Sequence, residues 1–85
     1  MTVSIEVLLF AGAKDACEQR TSMKLDFDVP GNITIQDMCD RIVHEYTAMR
    51  PILQCSAIAV NEEYVEYSST LNNGDTVAII PPVSK

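Results

Sequence analysis

Thr34-Ile35-Gln36-Asp37-Met38-Cys39-Asp40-Arg41-Ile42-Val43-His44-Glu45-Tyr46 carries the principal helical period in a chain that elsewhere alternates like strands. Ile35, Met38, Cys39, Ile42, Val43 and Tyr46 recur at i, i+3, i+4, i+7, i+8 and i+11, which lays one apolar stripe along an α-helix. Gln36, Asp37, Asp40, Arg41, His44 and Glu45 fall on the opposite, polar face. Thr34 offers an N-cap, and Asp37 three residues on makes a capping box with Asp in place of Glu. The helix should end before Pro51, because the residue preceding a proline is pushed out of the helical region. A helix with one apolar stripe must bury it against a neighbour, and the flanking segments supply a sheet.

Upstream, Val3, Ile5, Val7 and Leu9 alternate with Ser4, Glu6 and Leu8, the period of a strand with one buried face. Phe10 follows on the side opposite Leu9. Ala11-Gly12-Ala13 interrupts the pattern, and Lys14 to Gln19 suits a short helical turn. Met23, Leu25, Phe27 and Val29 alternate with Ser22, Lys24, Asp26 and Asp28 until Pro30-Gly31-Asn32 stops the strand. Downstream, Ala57 to Val60 reads as a short buried strand closed by a turn at Asn61-Glu62-Glu63, and Tyr64-Val65 resumes extended structure. Asn72-Asn73-Gly74-Asp75 is a turn in which Gly74 can take a positive φ, and Thr76 to Ile80 is the final strand. Two strands, one principal helix and further strands predict an α+β domain, a β-grasp (ubiquitin-like) roll. Its mixed sheet would be covered by that helix, with the last strand central. The domain should span residues 1–80, with 81–85 an extended tail.

An 85-residue chain with 47% hydrophobic and 21% charged residues supports one folded domain. Its net charge of −6 speaks against nucleic acid, whose phosphates need a Lys/Arg patch that six basic residues do not supply. The same acidity suits a partner with a basic groove. Cys17, Cys39 and Cys55 lack metal spacing and a disulfide framework, and Cys39 falls on the apolar helix stripe as a small buried hydrophobe. Free thiols, the absence of a signal-peptide pattern and the absence of a long apolar run predict a cytoplasmic protein without membrane association.

The interior offers little chemistry. His44, the single histidine, lies on the polar helix face with no nucleophile beside it. Asp26 and Asp28 share the outward side of a strand, where such a pair more often keeps an edge soluble than holds a cation. Glu62-Glu63 reads as a turn. Neither phosphate-loop nor dinucleotide fingerprint is present, so no catalytic residue, metal site or bound cofactor is expected. The tail is more informative. Pro81 and Pro82 fix φ near about −65° and donate no N–H, so pairing should stop and the chain extend by about 3 Å per residue.

Phe10-Ala11 after the first strand, Val60-Asn61 before Tyr64-Val65, Leu71, Asn73-Gly74-Asp75 and above all Ile79-Ile80-Pro81-Pro82-Val83-Ser84 resemble the MoaD family, the small subunit of molybdopterin synthase. The resemblance spans essentially the whole chain, and its specific part is the aliphatic strand running into Pro-Pro-Val-Ser. It implies a sulfur carrier whose C-terminal carboxylate is adenylated by an E1-like enzyme, which uses ATP, and converted to a thiocarboxylate. The tail would enter the large synthase subunit and donate sulfur to precursor Z, the step that yields molybdopterin. It implies also that Phe10, Tyr64 and Ile80 form the hydrophobic contact for the large subunit, with Pro81, Pro82, Val83 and Ser84 entering it. Family synthases look like heterotetramers.

The family pattern calls for two glycines after Ser84, which let backbone pass through a narrow tunnel. Lys85 stands there instead. The rest of the tail keeps the pattern, which favours a truncated or altered end, or an incomplete gene sequence, over a relative that has lost sulfur transfer. The alternatives are a ubiquitin-like interaction module without sulfur transfer and a sulfur carrier of the thiamine or tRNA-thiolation type. An independent enzyme is the most distant reading.

Overall fold

A computed structural model describes residues 2–82 of the chain; Val83, Ser84 and Lys85 of the expected tail lie outside the described residues. Strand β1 (Thr2–Leu9) leads to helix α1 (Ala11–Ala16) and strand β2 (Ser22–Asp28). A two-residue strand β3 (Ile33–Thr34) opens directly into α2 (Ile35–Glu45), followed by α3 (Met49–Cys55), β4 (Ala57–Val60), β5 (Glu63–Val65), β6 (Thr70–Leu71) and β7 (Thr76–Ile80). The main sheet has the order β2-β1-β7-β4-β5, so the last strand is central, as the pattern predicts. β1 and β7 run parallel and the other pairs antiparallel, which makes the sheet mixed. This is the β-grasp roll.

Period-2 alternation fixes the buried face. Val3, Ile5, Val7 and Leu9 of β1, Met23, Leu25 and Phe27 of β2, and Val77 and Ile79 of β7 all point under the helical layer and are buried. They meet Ile35, Met38, Cys39 and Ile42, the predicted stripe of α2. Val43 and Tyr46 only flank this core. The capping box is formed: the Asp37 N–H donates to Thr34 Oγ1 at 3.2 Å, and the Thr34 N–H donates to Asp37 Oδ2 at 3.0 Å. Replacing Thr34 by Ala removes the acceptor and should cost about 1 kcal/mol. A thermal melt should show Tm lower by about 4–8 °C, and an unchanged melt would mean that the cap contributes nothing.

Four local features differ from the sequence pattern. Helix α2 ends at Glu45, ahead of Pro51, yet Pro51 is not its stop; it sits in the first turn of α3. First-turn N–H groups have no intrahelical partner, so proline is tolerated there. Met49 and Leu53, four apart and buried, anchor this second helix to the core. Helix α1 begins at Ala11, earlier than the turn expected from Lys14, with Ala13 and Cys17 inward. β3 and β6 pair Ile33 with Leu71 and Thr34 with Thr70, a small ribbon that holds the entrance of α2. Glu63 belongs to β5, and the turn before it is Asn61-Glu62.

Candidate functional site

The face of the sheet turned away from the helices carries the site. Because β7 alternates, Ile79 is fully buried while Ile80 points outward and is half-buried. Register then aligns a row across four strands: Leu8 opposite Ala78, Ala78 opposite Ala59, and Ala59 opposite Tyr64. The two alanines form a low floor between the larger Leu8 and Tyr64. Phe10 and Ile80 complete an open groove of about 630 Å³, whose lining also includes Asn61, Glu62 and Thr76. Phe10 and Tyr64 remain 47% and 74% exposed. Large apolar side chains gathered and exposed in this way are a common feature of interaction surfaces, which makes this groove the candidate site.

The rim of this groove is stiff. Asn61 and Glu62 have φ of 50° and 74°, so two consecutive left-handed residues make the tight turn between β4 and β5. The Asn61 side chain donates to Asp75 Oδ1 at 3.1 Å and accepts from the Thr76 N–H at 3.1 Å. Asp75 in turn accepts the Asn72 N–H at 2.9 Å through Oδ2. Gly74, at φ 89°, donates its N–H to the Ser4 carbonyl at 2.7 Å. Tyr64 is therefore presented by a hairpin tied to the strand that delivers Ile80.

Beyond Ile80, Pro81 is half-buried and Pro82 is exposed, and neither is in a strand. The structure thus brings together Phe10, Tyr64 and Ile80, and sets Pro81 and Pro82 at the exit of the central strand. Pattern reading missed Leu8, Ala59, Ala78 and Glu62 as members of the same groove. Leu8 alone gave a signal, as an apolar residue in the outward phase of β1.

Of the other candidates only Glu62 reaches the groove, at its rim; the rest stay apart from it. His44 is exposed on α2. Asp26 and Asp28 are exposed on β2, at the sheet edge. There the Ser4 hydroxyl donates to Asp26 Oδ1 at 2.6 Å, and Arg41 Nη1 donates to the Asp26 carbonyl at 3.2 Å. Glu62 and Glu63 are exposed, and no group of three metal-ligating side chains occurs among the described residues. A second concavity of about 590 Å³ lies between α2 and α3, lined among others by Asp40, His44, Arg50 and Tyr67. The Tyr67 hydroxyl donates to the Leu53 carbonyl and ties the β5–β6 connection to α3.

Cys17 and Cys39 are buried free thiols and Cys55 is exposed. Burial, and secondarily the charge of Asp40, push the Cys39 thiol up to about 11. The folded state therefore holds this proton where an unfolded chain releases it, so Cys39's contribution to stability should fall between about pH 9 and pH 11. Brief alkylation of the native protein at pH 8 should mark Cys55 alone, as read by peptide mass. Equal labelling of Cys39 would contradict this packing.

A family model described as the ThiS family matches residues 7–84 of this chain. The molybdopterin synthase sulfur carrier subunit of Arabidopsis thaliana is 35% identical over 83 residues, covering 98% of this chain and 83% of that protein. Among solved structures, SAMP1 from Haloferax volcanii superposes with TM-score 0.78 at 26% identity, covering 96% of this chain and 98% of its own. A complex of subunits 1 and 2 of the molybdopterin-converting factor from Helicobacter pylori contains a chain matching with TM-score 0.64 at 20% identity, over 98% of this chain and 99% of that one. No helix among the described residues is long and apolar enough to cross a membrane.

Proposed function

This chain belongs to the ThiS family, and on that premise we propose that it is the sulfur-carrier subunit of molybdopterin synthase. The observation that carries the reading is geometric. The central strand β7 delivers Ile80, Pro81 and Pro82 beside a groove walled by Phe10 and Tyr64. A carrier needs a rigid body that docks and an extended end that reaches, and both arise here from one strand. The Arabidopsis relative bears the sulfur-carrier name, and the Helicobacter neighbour was solved joined to a second subunit. Both support a large-subunit partner for this chain.

In this reading Phe10, Tyr64 and Ile80 seat the domain on the large subunit. Pro81 and Pro82 keep the following residues from pairing with a strand, so the tail enters extended. An E1-like enzyme adenylates the C-terminal carboxylate with ATP, because a carboxylate is a poor electrophile until it is an acyl adenylate. A donor of sulfide-level sulfur then displaces AMP to leave a thiocarboxylate; in the large subunit's pocket that sulfur bonds to precursor Z, and water cleaves the acyl–sulfur bond to return the carboxylate. The chain itself supplies position and sulfur, while the pocket lies on the partner. The test is reconstitution of the thiocarboxylated chain with the large subunit and precursor Z. Molybdopterin formation in proportion to thiocarboxylate is the expected result. A complex that forms but yields no product would leave only a docking module.

A further inference from the structure

We infer that the groove is a socket for one protruding apolar side chain of the large subunit, accompanied by a lysine or arginine that reaches Glu62. This rests on the docking reading above and adds which chemistry the partner must present. Two observations carry it.

The first is the shape of the floor. Along the row Leu8, Ala78, Ala59, Tyr64, the middle two positions are alanines although strands favour larger, β-branched residues. Ala59 is buried even though it belongs to the outward face, because its taller neighbours shade it. Leu8, Phe10, Tyr64 and Ile80 stand around this depression. A flat partner surface would leave the floor empty and forfeit dispersion contacts on both sides, whereas a projecting aliphatic or aromatic side chain fills it.

The second is charge. Glu62 is the one charged side chain in the groove lining. It sits on a hairpin turn fixed by left-handed backbone and by the Asn61 hydrogen bonds, so its backbone is set at the rim and its exposed carboxylate is within reach of a partner. No ion pair engages it among the described residues; the one salt bridge found joins Arg41 to Glu45 on α2. The rest of this face continues the sign. Glu6, Asp26 and Asp28 occupy the outward phases of β1 and β2, against Lys24 as the cation. A basic residue beside the inserted apolar group matches this field and also orients the approach.

The test is titration calorimetry of the intact chain against the large synthase subunit of the same organism, at low and high salt. Ala78→Leu fills the floor from a half-exposed position that tolerates the larger side chain, and Glu62→Lys reverses the rim charge. Ala78→Leu should weaken binding by tenfold or more at either salt concentration. Glu62→Lys should weaken it by about tenfold at low salt and flatten its salt dependence. Melting curves matching wild type exclude unfolding, and Ala78→Ser, which keeps the floor low, should bind like wild type. Ile80→Asp serves as the reference for the docking face. If Ile80→Asp fails to bind while Ala78→Leu and Glu62→Lys bind as wild type, the socket is wrong and the docking face stands. Wild-type binding by Ile80→Asp would overturn the underlying reading.

Discussion

Ile80→Asp should fold like the native chain and lose affinity for the large synthase subunit by two orders of magnitude or more. Ile80 lies at the end of β7, half-buried, with its side chain on the groove face and none of the core beneath it. In the free protein water solvates an aspartate there, so the melting temperature should move little. In the complex the same carboxylate would be pressed against apolar groups without a partner. If Ile80 is a hot spot of the proposed interface, its truncation costs about 2–4 kcal/mol, and an unpaired buried charge adds to that. Since about 1.4 kcal/mol is a factor of ten, the loss exceeds 100-fold. Calorimetry combined with a melt reads both halves, and near-native affinity would remove Ile80 from the interface.

The neighbouring substitution, Ile79→Asp, should do the reverse and abolish the fold. Ile79 is fully buried, pairing with Leu9 on one side and Ile58 on the other, in the strand at the centre of the sheet. Reducing such a residue to alanine costs about 2–5 kcal/mol, and a desolvated unpaired carboxylate costs several more. A domain of this size is stable by only about 5–10 kcal/mol. Far-ultraviolet circular dichroism should therefore show a largely unfolded chain at 25 °C. A cooperative melt near the native temperature would mean that β7 is not the central strand. One residue of register separates the two outcomes, since a strand sends successive side chains to opposite faces.

That alternation is why so much was legible beforehand. The phase of Val3 to Leu9, of Met23 to Phe27 and of Ile79 against Ile80 is written in the order of apolar and polar residues. The α2 stripe, its Thr34–Asp37 cap and the positive φ of Gly74 are equally local, each decided within a few residues. What stayed hidden depends on partners distant in sequence. β3 and β6 are two residues each and exist only because Ile33 meets Leu71. Helix α3 spans seven residues with a proline in its first turn, too short for its Met49, Ile52, Leu53 spacing to stand out.

The proposed docking site divides along the same line. Phe10, Tyr64 and Ile80 came from the family resemblance, and the alternation of β1 and β7 gave Phe10 and one isoleucine of the Ile79–Ile80 pair an outward side. Ala59 and Ala78 are unremarkable until β4 and β7 are set in register, when they become adjacent and form a floor. Asn61 reads as a turn residue, and only the fold shows that it ties the β4–β5 turn to Asp75 and Thr76.

A sulfur carrier holds sulfur on its carboxyl terminus, and intact mass spectrometry of the protein isolated from its own cells, with the C-terminal peptide sequenced, reads that sulfur. Part of the population should be heavier by the exchange of one oxygen for one sulfur, located in the peptide that follows Pro82. A C-terminal peptide that carries only oxygen, in cells actively making molybdopterin, would contradict the sulfur-carrier reading.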